Sequence, residues 1–265
     1  MTAGSHVEAG HPRAESIRVR ERLTHHVETK VLALAGLIAH GRGEAFDYML
    51  GEATTEPAKR AITAAAAAML LAEHPIISVN GNATALCAED LVRLSQSTGA
   101  KLEINLFHRQ TGREEAIETV LKDAGAEEVL GVGDAATARI NEIHSDRRTI
   151  DPRGIYIADV VLVPLEDGDR AEALVRMGKT LIAVDLNPLS RTAQYATITI
   201  VDNLVRAAPL LVSEAERLKS LEAEALRGIL SSYSNREVLG ESMRIMEERL
   251  HTLSQKGVYL KIDSK

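Results

Sequence analysis

Polar side chains follow two short apolar runs in the second half of the chain. The first run, residues 180–186, reads TLIAVDL and is followed by a polar loop, and the second, residues 196–201, ends before Asp202. Continuous apolar runs of this length are typical of strands buried on both faces in a parallel sheet. In such sheets ligands bind beyond the carboxyl ends of the strands. Side chains that can bind a base, ribose hydroxyls and phosphate lie at these two ends, namely Asp185, Asn187, Arg191 and Asn203.

The sequence HGRGE, residues 40–44, places Arg42 between two glycines. Glycines let the backbone approach a ligand closely, while the guanidinium can bind a carboxylate or phosphate through two parallel hydrogen bonds. The glycines at positions 36, 41 and 43 are expected to interrupt the helical pattern, so that a new helix begins near Glu44 and its N-terminus attracts anions. The alternative is a turn with an exposed arginine.

Two further groups of residues follow predicted strands. VNGN, residues 79–82, offers neutral donors and a glycine that can line a polar substrate, although an ordinary turn between strand and helix explains it equally well. The acids Glu166, Asp167 and Asp169 could hold Mg²⁺ through water beside bound phosphates. The alternative for the last of these is capping of the following helix.

Several other classes of protein are disfavoured. Gly131-Val132-Gly133 lacks the third glycine of the dinucleotide fingerprint, so a plain turn is favoured over a nicotinamide-dependent oxidoreductase. A net charge of −7 gives no electrostatic footprint for nucleic acid or for an anionic membrane. The longest apolar stretch, residues 61–72, is too short to span a bilayer. The single cysteine, Cys87, excludes an internal disulfide and fits a reducing cytoplasm.

The order of helical and apolar segments predicts an α/β fold. Residues 1–10 are expected to form a disordered lead, followed by one α/β domain from 11 to 265. Within that domain, residues 11–74 are mainly helical, residues 75–203 alternate strands with helices, and residues 204–265 form a helical tail. The alternation predicts right-handed crossovers and a parallel sheet with helices on its faces. The amphipathic tail can pack on that sheet or form a dimer interface.

Six longer segments of the sequence can be compared with known families: AGLIAHGRGEAFDYMLGE (35–52), SVNGN (78–82), INLFHR (104–109), ADVVLVPLEDGDRAEALVRMGKTLIAVDLNPLSRTA (158–193), ITIVDNLVRAAP (198–209) and SNREVLGESM (234–243). Together they resemble the archaeal phosphopantothenate synthetase family, the 4-phosphopantoate–β-alanine ligases of coenzyme A biosynthesis. The match covers nearly the whole chain from His11. Residues 1–10 and the loop 137–148 match least and are expected to be variable.

The resemblance implies a Rossmann-like parallel sheet with added N-terminal and C-terminal helices, assembled as a homodimer. It implies an enzyme that joins phosphopantoate to β-alanine with ATP and Mg²⁺, releasing AMP and diphosphate through an acyl-adenylate. The alternative is a nucleotide-binding regulatory protein without turnover, because a fold does not by itself establish catalysis.

The resemblance also implies which residues act. The ATP-binding positions would be Arg20, Arg42, Asp185, Leu186, Asn187, Ser190, Arg191, Thr192, Asp202, Asn203 and Leu204. Arg20 and Arg42 would hold phosphates, and Arg42 would stabilise the reacting charge. His40 or Glu44 could receive a proton from the β-alanine amine. The substrate would lie against Asn80, Gly81 and Asn82, and the Mg²⁺ ligands are left unassigned.

Overall fold

The computed structural model describes residues 13–107 and 109–256. The predicted disordered lead, residues 1–10, lies outside these ranges. Eight strands occur in the described part: β1 Pro75–Val79, β2 Lys101–Ile104, β3 Val129–Leu130, β4 Ala138–Arg139, β5 Thr149–Ile150, β6 Val160–Pro164, β7 Thr180–Val184 and β8 Ile198–Ile200. Six of them form a parallel sheet in the order β3-β2-β1-β6-β7-β8, and β4 and β5 pair as an antiparallel ribbon.

The helices lie before, between and after the strands of the sheet. They are α1 Ala14–Glu28, α2 Leu34–Leu50, α3 Glu56–Leu71, α4 Gly81–Thr98, α5 Arg113–Asp123, α6 Gly168–Arg176, α7 Arg191–Tyr195, α8 Leu204–Leu218, α9 Ala223–Ser231 and α10 Asn235–Lys256. The predicted α/β class, parallel sheet and helical terminal segments are therefore confirmed. None of these helices is both long and apolar enough to cross a membrane.

Both faces of the sheet are buried, as the continuous apolar runs indicate. Successive residues of a strand point to opposite faces, and Ile76 and Ile77 of β1 accordingly belong to two different apolar clusters. The larger cluster packs the sheet against helices that include α3, α4 and α8. The smaller one packs it against α6 and the segment that contains the β4–β5 ribbon. Of the two interpretations of the tail, packing on the chain's own core is correct for α8.

The order of the strands reverses direction in the middle of the sheet. From β1 the chain continues outward to β2 and β3, and then returns to β6 on the other side of β1 before continuing to β7 and β8. The carboxyl ends of β1 and β6 therefore diverge into helices on opposite sides, which creates a crevice between them. In open α/β sheets this switch point is where ligands bind.

The predicted break in the helix around Arg42 is wrong. Helix α2 runs from Leu34 to Leu50 without interruption, so Glu44 lies inside the helix and no N-terminus is available there. A glycine costs a helix interior about 1 kcal/mol, and tertiary packing overrides this. A Cβ atom at Gly36 would lie 2.4 Å from the Asn82 Oδ1 atom, so the glycine lets α2 approach α4.

Candidate functional site

Two cavities lie at the switch point and share one wall. The first, of about 260 Å³, lies beyond β1 and is called the β1 cavity; the second, of about 340 Å³, lies beyond β7 and is called the β7 cavity. Ala39, Leu165 and Asp167 line both of them. The two cavities are therefore adjacent, and together they are called the cleft.

The β7 cavity brings together five of the residues that the resemblance assigns to ATP. They are Arg42, Asp185, Leu186, Asn187 and Ser190. Most of this cavity's wall comes from two pieces of the chain: one face of α2 and the loop that follows β7.

Hydrogen bonds within the loop after β7 fix its shape. The Asp185 carboxylate accepts bonds from the Asn187 N–H at 2.9 Å and from the Ser190 hydroxyl. The Asn187 side chain accepts a bond from the Leu189 N–H at 2.9 Å, and Ser190 caps the short helix α7. Burial raises the pKa of Asp185, while these hydrogen bonds and the charge of Arg42 act in the opposite direction. The loop thus presents a preformed polar surface to the cavity.

Arg42 supplies positive charge at the β7 cavity. Its side chain is exposed and lines the cavity. Within the described part of the chain, no hydrogen bond or ion pair holds its guanidinium. A cation that protein partners leave uncommitted at a cavity wall is suited to bind an anionic ligand.

Arg191 and Thr192 are close in sequence to this loop but point elsewhere. The exposed Arg191 guanidinium pairs with Asp169 at 2.5 Å and with Glu172 at 2.9 Å, on helix α6. Thr192 donates a hydrogen bond to the Glu166 carbonyl at 2.9 Å. Neither residue is among those that line the β7 cavity. The capping role predicted for Asp169 is wrong, because Asp167 occupies the N-cap position of α6.

Asp202 and Asn203 belong to a buried network that fixes α2. Arg206 donates hydrogen bonds to Asp47 of α2 at 2.6 Å and to Asp202 at 2.6 Å. Asn203 caps α8 and donates a second bond to Asp47 at 2.9 Å. Thr54 donates to Asp202 at 2.6 Å. These side chains, with the buried Leu204 behind them, line neither cavity; they hold the helix that carries Arg42.

His40 and Glu44 lie on a different face of α2 from Arg42. The His40 Nε2 atom lies 3.6 Å from Glu44 Oε1, and the imidazole is buried. Burial lowers the pKa of His40, and the nearby carboxylates only partly oppose this effect. Neither side chain lines the two cavities, so the structure does not bring the predicted proton acceptors into the cleft. Arg20, on the exposed surface of α1, also lines neither cavity.

The β1 cavity contains the predicted substrate-binding turn. Asn80 caps α4 by accepting a bond from the Ala83 N–H at 3.0 Å, and it donates to the Pro164 carbonyl at 2.8 Å. Asn82 donates to the Gly36 carbonyl at 3.0 Å. A Cβ atom at Gly81 would lie 2.3 Å from the Val31 carbonyl oxygen, so only glycine fits. The turn is both an ordinary helix cap and a wall of the cavity.

Two arginines in the β1 cavity were missed by sequence reasoning. Arg113 begins α5, and Arg147 lies in the short helical turn Asp146–Arg148, inside the loop that was expected to be variable. Arg147 pairs with the buried Glu166 side chain, and its Nε atom lies 2.9 Å from Asp167 Oδ2. Asn105 donates a hydrogen bond to the Arg147 carbonyl at 3.2 Å. Asn105 belongs to the segment INLFHR, which resembles the family, and this was the one feature of the sequence that pointed towards this part of the cavity.

The three acids that could have held Mg²⁺ through water are paired with arginines instead. Glu166 is paired with Arg147 and Arg170, Asp167 with Arg147, and Asp169 with Arg191. Among residues 13–107 and 109–256, no group of three His, Cys, Asp or Glu side chains could hold a metal ion. A site made of protein ligands alone is therefore not available among these residues; Mg²⁺ carried by a triphosphate would depend mainly on phosphate oxygens and water.

The sheet and its cleft place the chain in the class of doubly wound α/β proteins that bind ligands at the switch point. Comparison with known proteins gives the particular family. Residues 57–249 match the model of the phosphopantothenate/pantothenate synthetase family. The chain is 50% identical over 250 residues to a 4-phosphopantoate–β-alanine ligase of Thermococcus kodakarensis, which covers 94% of this chain and 95% of that protein.

Two further relatives agree. The protein of the same name from Methanosarcina mazei is 49% identical over 249 residues, which is 94% of this chain and 97% of that protein. The one from Methanospirillum hungatei is 44% identical over 240 residues, 91% of this chain and 96% of that protein. This chain belongs to the phosphopantothenate synthetase family.

Proposed function

We propose that this protein is a ligase of coenzyme A biosynthesis that joins 4-phosphopantoate to β-alanine. ATP would be the cosubstrate, and the products would be 4′-phosphopantothenate, AMP and diphosphate. The observation that carries the proposal is the shared wall between two cavities, one lined by Arg42 and the other by Arg113 and Arg147. Such a cleft can hold a nucleotide and a second anionic substrate side by side.

The β7 cavity would bind ATP. The loop from Asp185 to Ser190 offers amide, carboxylate and hydroxyl groups to the nucleoside, and Arg42 lies where phosphates can reach it. The remaining residues assigned to ATP would act less directly in this chain. Asp202 and Asn203 would hold α2 in place, and Arg191 would hold the loop against α6.

In the first step a carboxylate oxygen of phosphopantoate would attack the α-phosphorus of ATP. A bond forms between that oxygen and phosphorus, the bond from the α-phosphorus to the bridging oxygen breaks, and diphosphate leaves. Two anions must approach each other, so fixed cations at the cleft lower the barrier by stabilising the charge that develops. Arg42 would supply this stabilisation on the nucleotide side.

In the second step the neutral amine of β-alanine would attack the acyl carbon of the adenylate. The carbon–nitrogen bond forms, AMP leaves, and the nitrogen loses a proton. His40 and Glu44 do not line the cleft, so we assign no side chain as the base. Orientation of the amine against the acyl group can supply most of the acceleration that such a step requires.

We also propose that the protein acts as a homodimer through an exposed apolar stripe on α2. Leu34, Ile38 and Tyr48 are 69%, 77% and 51% exposed, and Gly41 and Ala45 lie between them at alternating spacings of four and three residues. This spacing is the pattern by which two helices pack together. A large apolar surface on one helix face is typical of an interface between protein molecules.

The proposal is tested by the products. Purified protein with ATP, Mg²⁺, 4-phosphopantoate and β-alanine should form AMP and diphosphate, and omission of β-alanine should stop formation of the amide. ADP and phosphate as products would refute the adenylate while leaving a ligase. Binding of ATP without any conversion would instead support the regulatory nucleotide-binding protein. The buried free thiol of Cys87 supports a cytoplasmic location for this reaction.

A further inference from the structure

The wall that the two cavities share carries a negative charge. Of the described residues that line both cavities, Ala39 and Leu165 are apolar and Asp167 is the charged one. Two substrates of the proposed function, ATP and 4-phosphopantoate, are anions that a carboxylate repels. A like charge placed between them costs free energy unless a group of opposite charge binds there as well. The position of Asp167 therefore indicates a third ligand.

Asp167 differs from the other two described carboxylates that line the cleft. Both oxygens of Glu166 are used within the protein, by Arg147 and by Arg170. Both oxygens of Asp185 accept hydrogen bonds from the loop after β7. The Asp167 Oδ2 atom is buried, 2.9 Å from Arg147 Nε, whereas Oδ1 accepts no hydrogen bond from any described residue. One carboxylate oxygen in the cleft is thus available to a ligand.

The loop between β6 and α6 fixes Asp167 at this point. Leu165 has a positive φ of 55°, which is uncommon for a residue other than glycine. Its carbonyl accepts a hydrogen bond from the Asn80 side chain at 3.1 Å, and the Glu166 carbonyl accepts one from Thr192 at 2.9 Å. The Asp167 N–H group donates to the Glu166 side chain at 2.8 Å. A strained backbone that several hydrogen bonds hold in place is typical of functional sites.

The Asp167 side chain does not cap the helix that it precedes. It occupies the N-cap position of α6, where an aspartate commonly accepts a hydrogen bond from the first turn, yet no such bond forms. Loss of this cap costs a helix about 1 kcal/mol. The side chain is instead 43% exposed and lines both cavities. The carboxylate is therefore directed at the cleft and not at the helix.

We infer that Asp167 Oδ1 binds the amino group of the third substrate, a short amino acid, and orients it at the shared wall. The inference rests on the proposed function, in which that amino acid is β-alanine. Of the three substrates, β-alanine is the one that carries a positively charged group, and its hydrogen bonds to a carboxylate are strong. The neutral amine still donates hydrogen bonds, so the contact persists when the nitrogen attacks. At the shared wall the nitrogen lies between the acid and the nucleotide, where the acyl carbon of the adenylate forms.

The experiment measures the two steps of the reaction separately in Asp167→Asn. Exchange of labelled diphosphate into ATP reports the first step, which needs 4-phosphopantoate but no β-alanine, and the variant should keep the wild-type rate. Hydroxylamine, an uncharged nucleophile, should still trap the adenylate as a hydroxamate. The β-alanine concentration that gives half-maximal amide formation should rise roughly 10- to 100-fold, the loss expected for one hydrogen bond to a charged group.

Two further variants serve as controls. Asp167→Glu keeps the negative charge and should recover part of the affinity for β-alanine, which a general disturbance of the loop would not produce. Asp123→Asn removes a carboxylate from the exposed end of α5 and should behave as wild type in both assays.

Two rival roles for Asp167 give different results. If Asp167 held Mg²⁺, its loss would slow the exchange and raise the Mg²⁺ concentration that the exchange requires. If it only supported Arg147, its loss would weaken binding of 4-phosphopantoate. Either result, or an unchanged β-alanine requirement in a folded Asp167→Asn variant, would overturn the inference and leave the ligase. Absence of both exchange and amide formation in wild type would instead refute the proposed function, and the inference with it.

Discussion

Glu103 provides a test of how the loop that carries Arg147 is anchored. It lies on β2, is fully buried, and accepts hydrogen bonds from the backbone N–H groups of Asp151 at 2.9 Å and Ile155 at 2.5 Å. Burial raises its pKa from 4.5 to about 7, although the two hydrogen bonds and the charge of Arg170 oppose the shift. Because the folded protein favours the protonated form, Glu103 contributes its full stability below about pH 4.5 and loses it as the pH rises through 7.

The size of this effect follows from the shift. A pKa of about 7 against 4.5 in the unfolded chain corresponds to about 3 kcal/mol. Urea unfolding gives the free energy of unfolding of wild type and of Glu103→Gln at pH 5 and at pH 8. The difference between the two proteins is compared at the two pH values, so the effects of other titrating groups cancel. The variant should be less stable than wild type at pH 5, because glutamine has one acceptor oxygen for two N–H groups. The gap should shrink by about 2.5 kcal/mol between pH 5 and pH 8, because part of the effect is already lost at pH 5. An equal gap at both pH values would show that Glu103 ionises with its ordinary pKa.

Three further predictions concern the cleft and the proposed dimer. Arg42→Ala should lower kcat by roughly 10- to 100-fold with little change in the affinity for 4-phosphopantoate, and unchanged kinetics would remove Arg42 from the site. Ile38→Glu should weaken association at least about 30-fold in sedimentation experiments, whereas Ile157→Glu, also at an exposed isoleucine, should not. If Arg20 completes the cleft of a partner, an equal mixture of Arg20→Ala and Arg42→Ala should regain about a quarter of wild-type activity, since half the dimers then have one intact site. If no activity is recovered, Arg20 acts in the cleft of its own chain or in neither cleft.

The strands were predictable because a sheet buried on both faces requires apolar side chains on both sides. The predicted run 180–186 nevertheless extended too far at its carboxyl end. It forms a strand only to Val184, and Leu186 lines the β7 cavity instead. Leu106, Phe107 and Leu165 likewise follow strands β2 and β6 and line the cleft. An apolar residue that continues a core strand and one that lines a binding cavity look the same in the sequence.

The residues of the site differ in whether their positions depend on nearby or on distant parts of the sequence. Asn80, Gly81 and the loop after β7 lie immediately after strands in the sequence, so their positions could be predicted. Arg147 could not, because its position depends on contacts with Glu166, which is 19 positions away in sequence, and with Asn105. Asp202 has the residue type of a ligand-binding group, yet its carboxylate is used by Thr54 and Arg206. Residue type alone does not distinguish a group that binds ligand from one that holds a helix in place.

Helix α2 presents three different faces, which would couple the proposed dimer to the cleft. One face carries Arg42 and the wall of both cavities, the second carries Asp47 and the buried network with α8, and the third carries the exposed stripe. A rigid helix cannot move one face without the others. If a second copy packs on the stripe, dimer formation therefore fixes the position of Arg42 beside the loop after β7. A monomeric Ile38→Asn variant, which adds no carboxylate one helical turn from Arg42, should consequently bind ATP more weakly than wild type, and equal ATP affinity would separate assembly from the site.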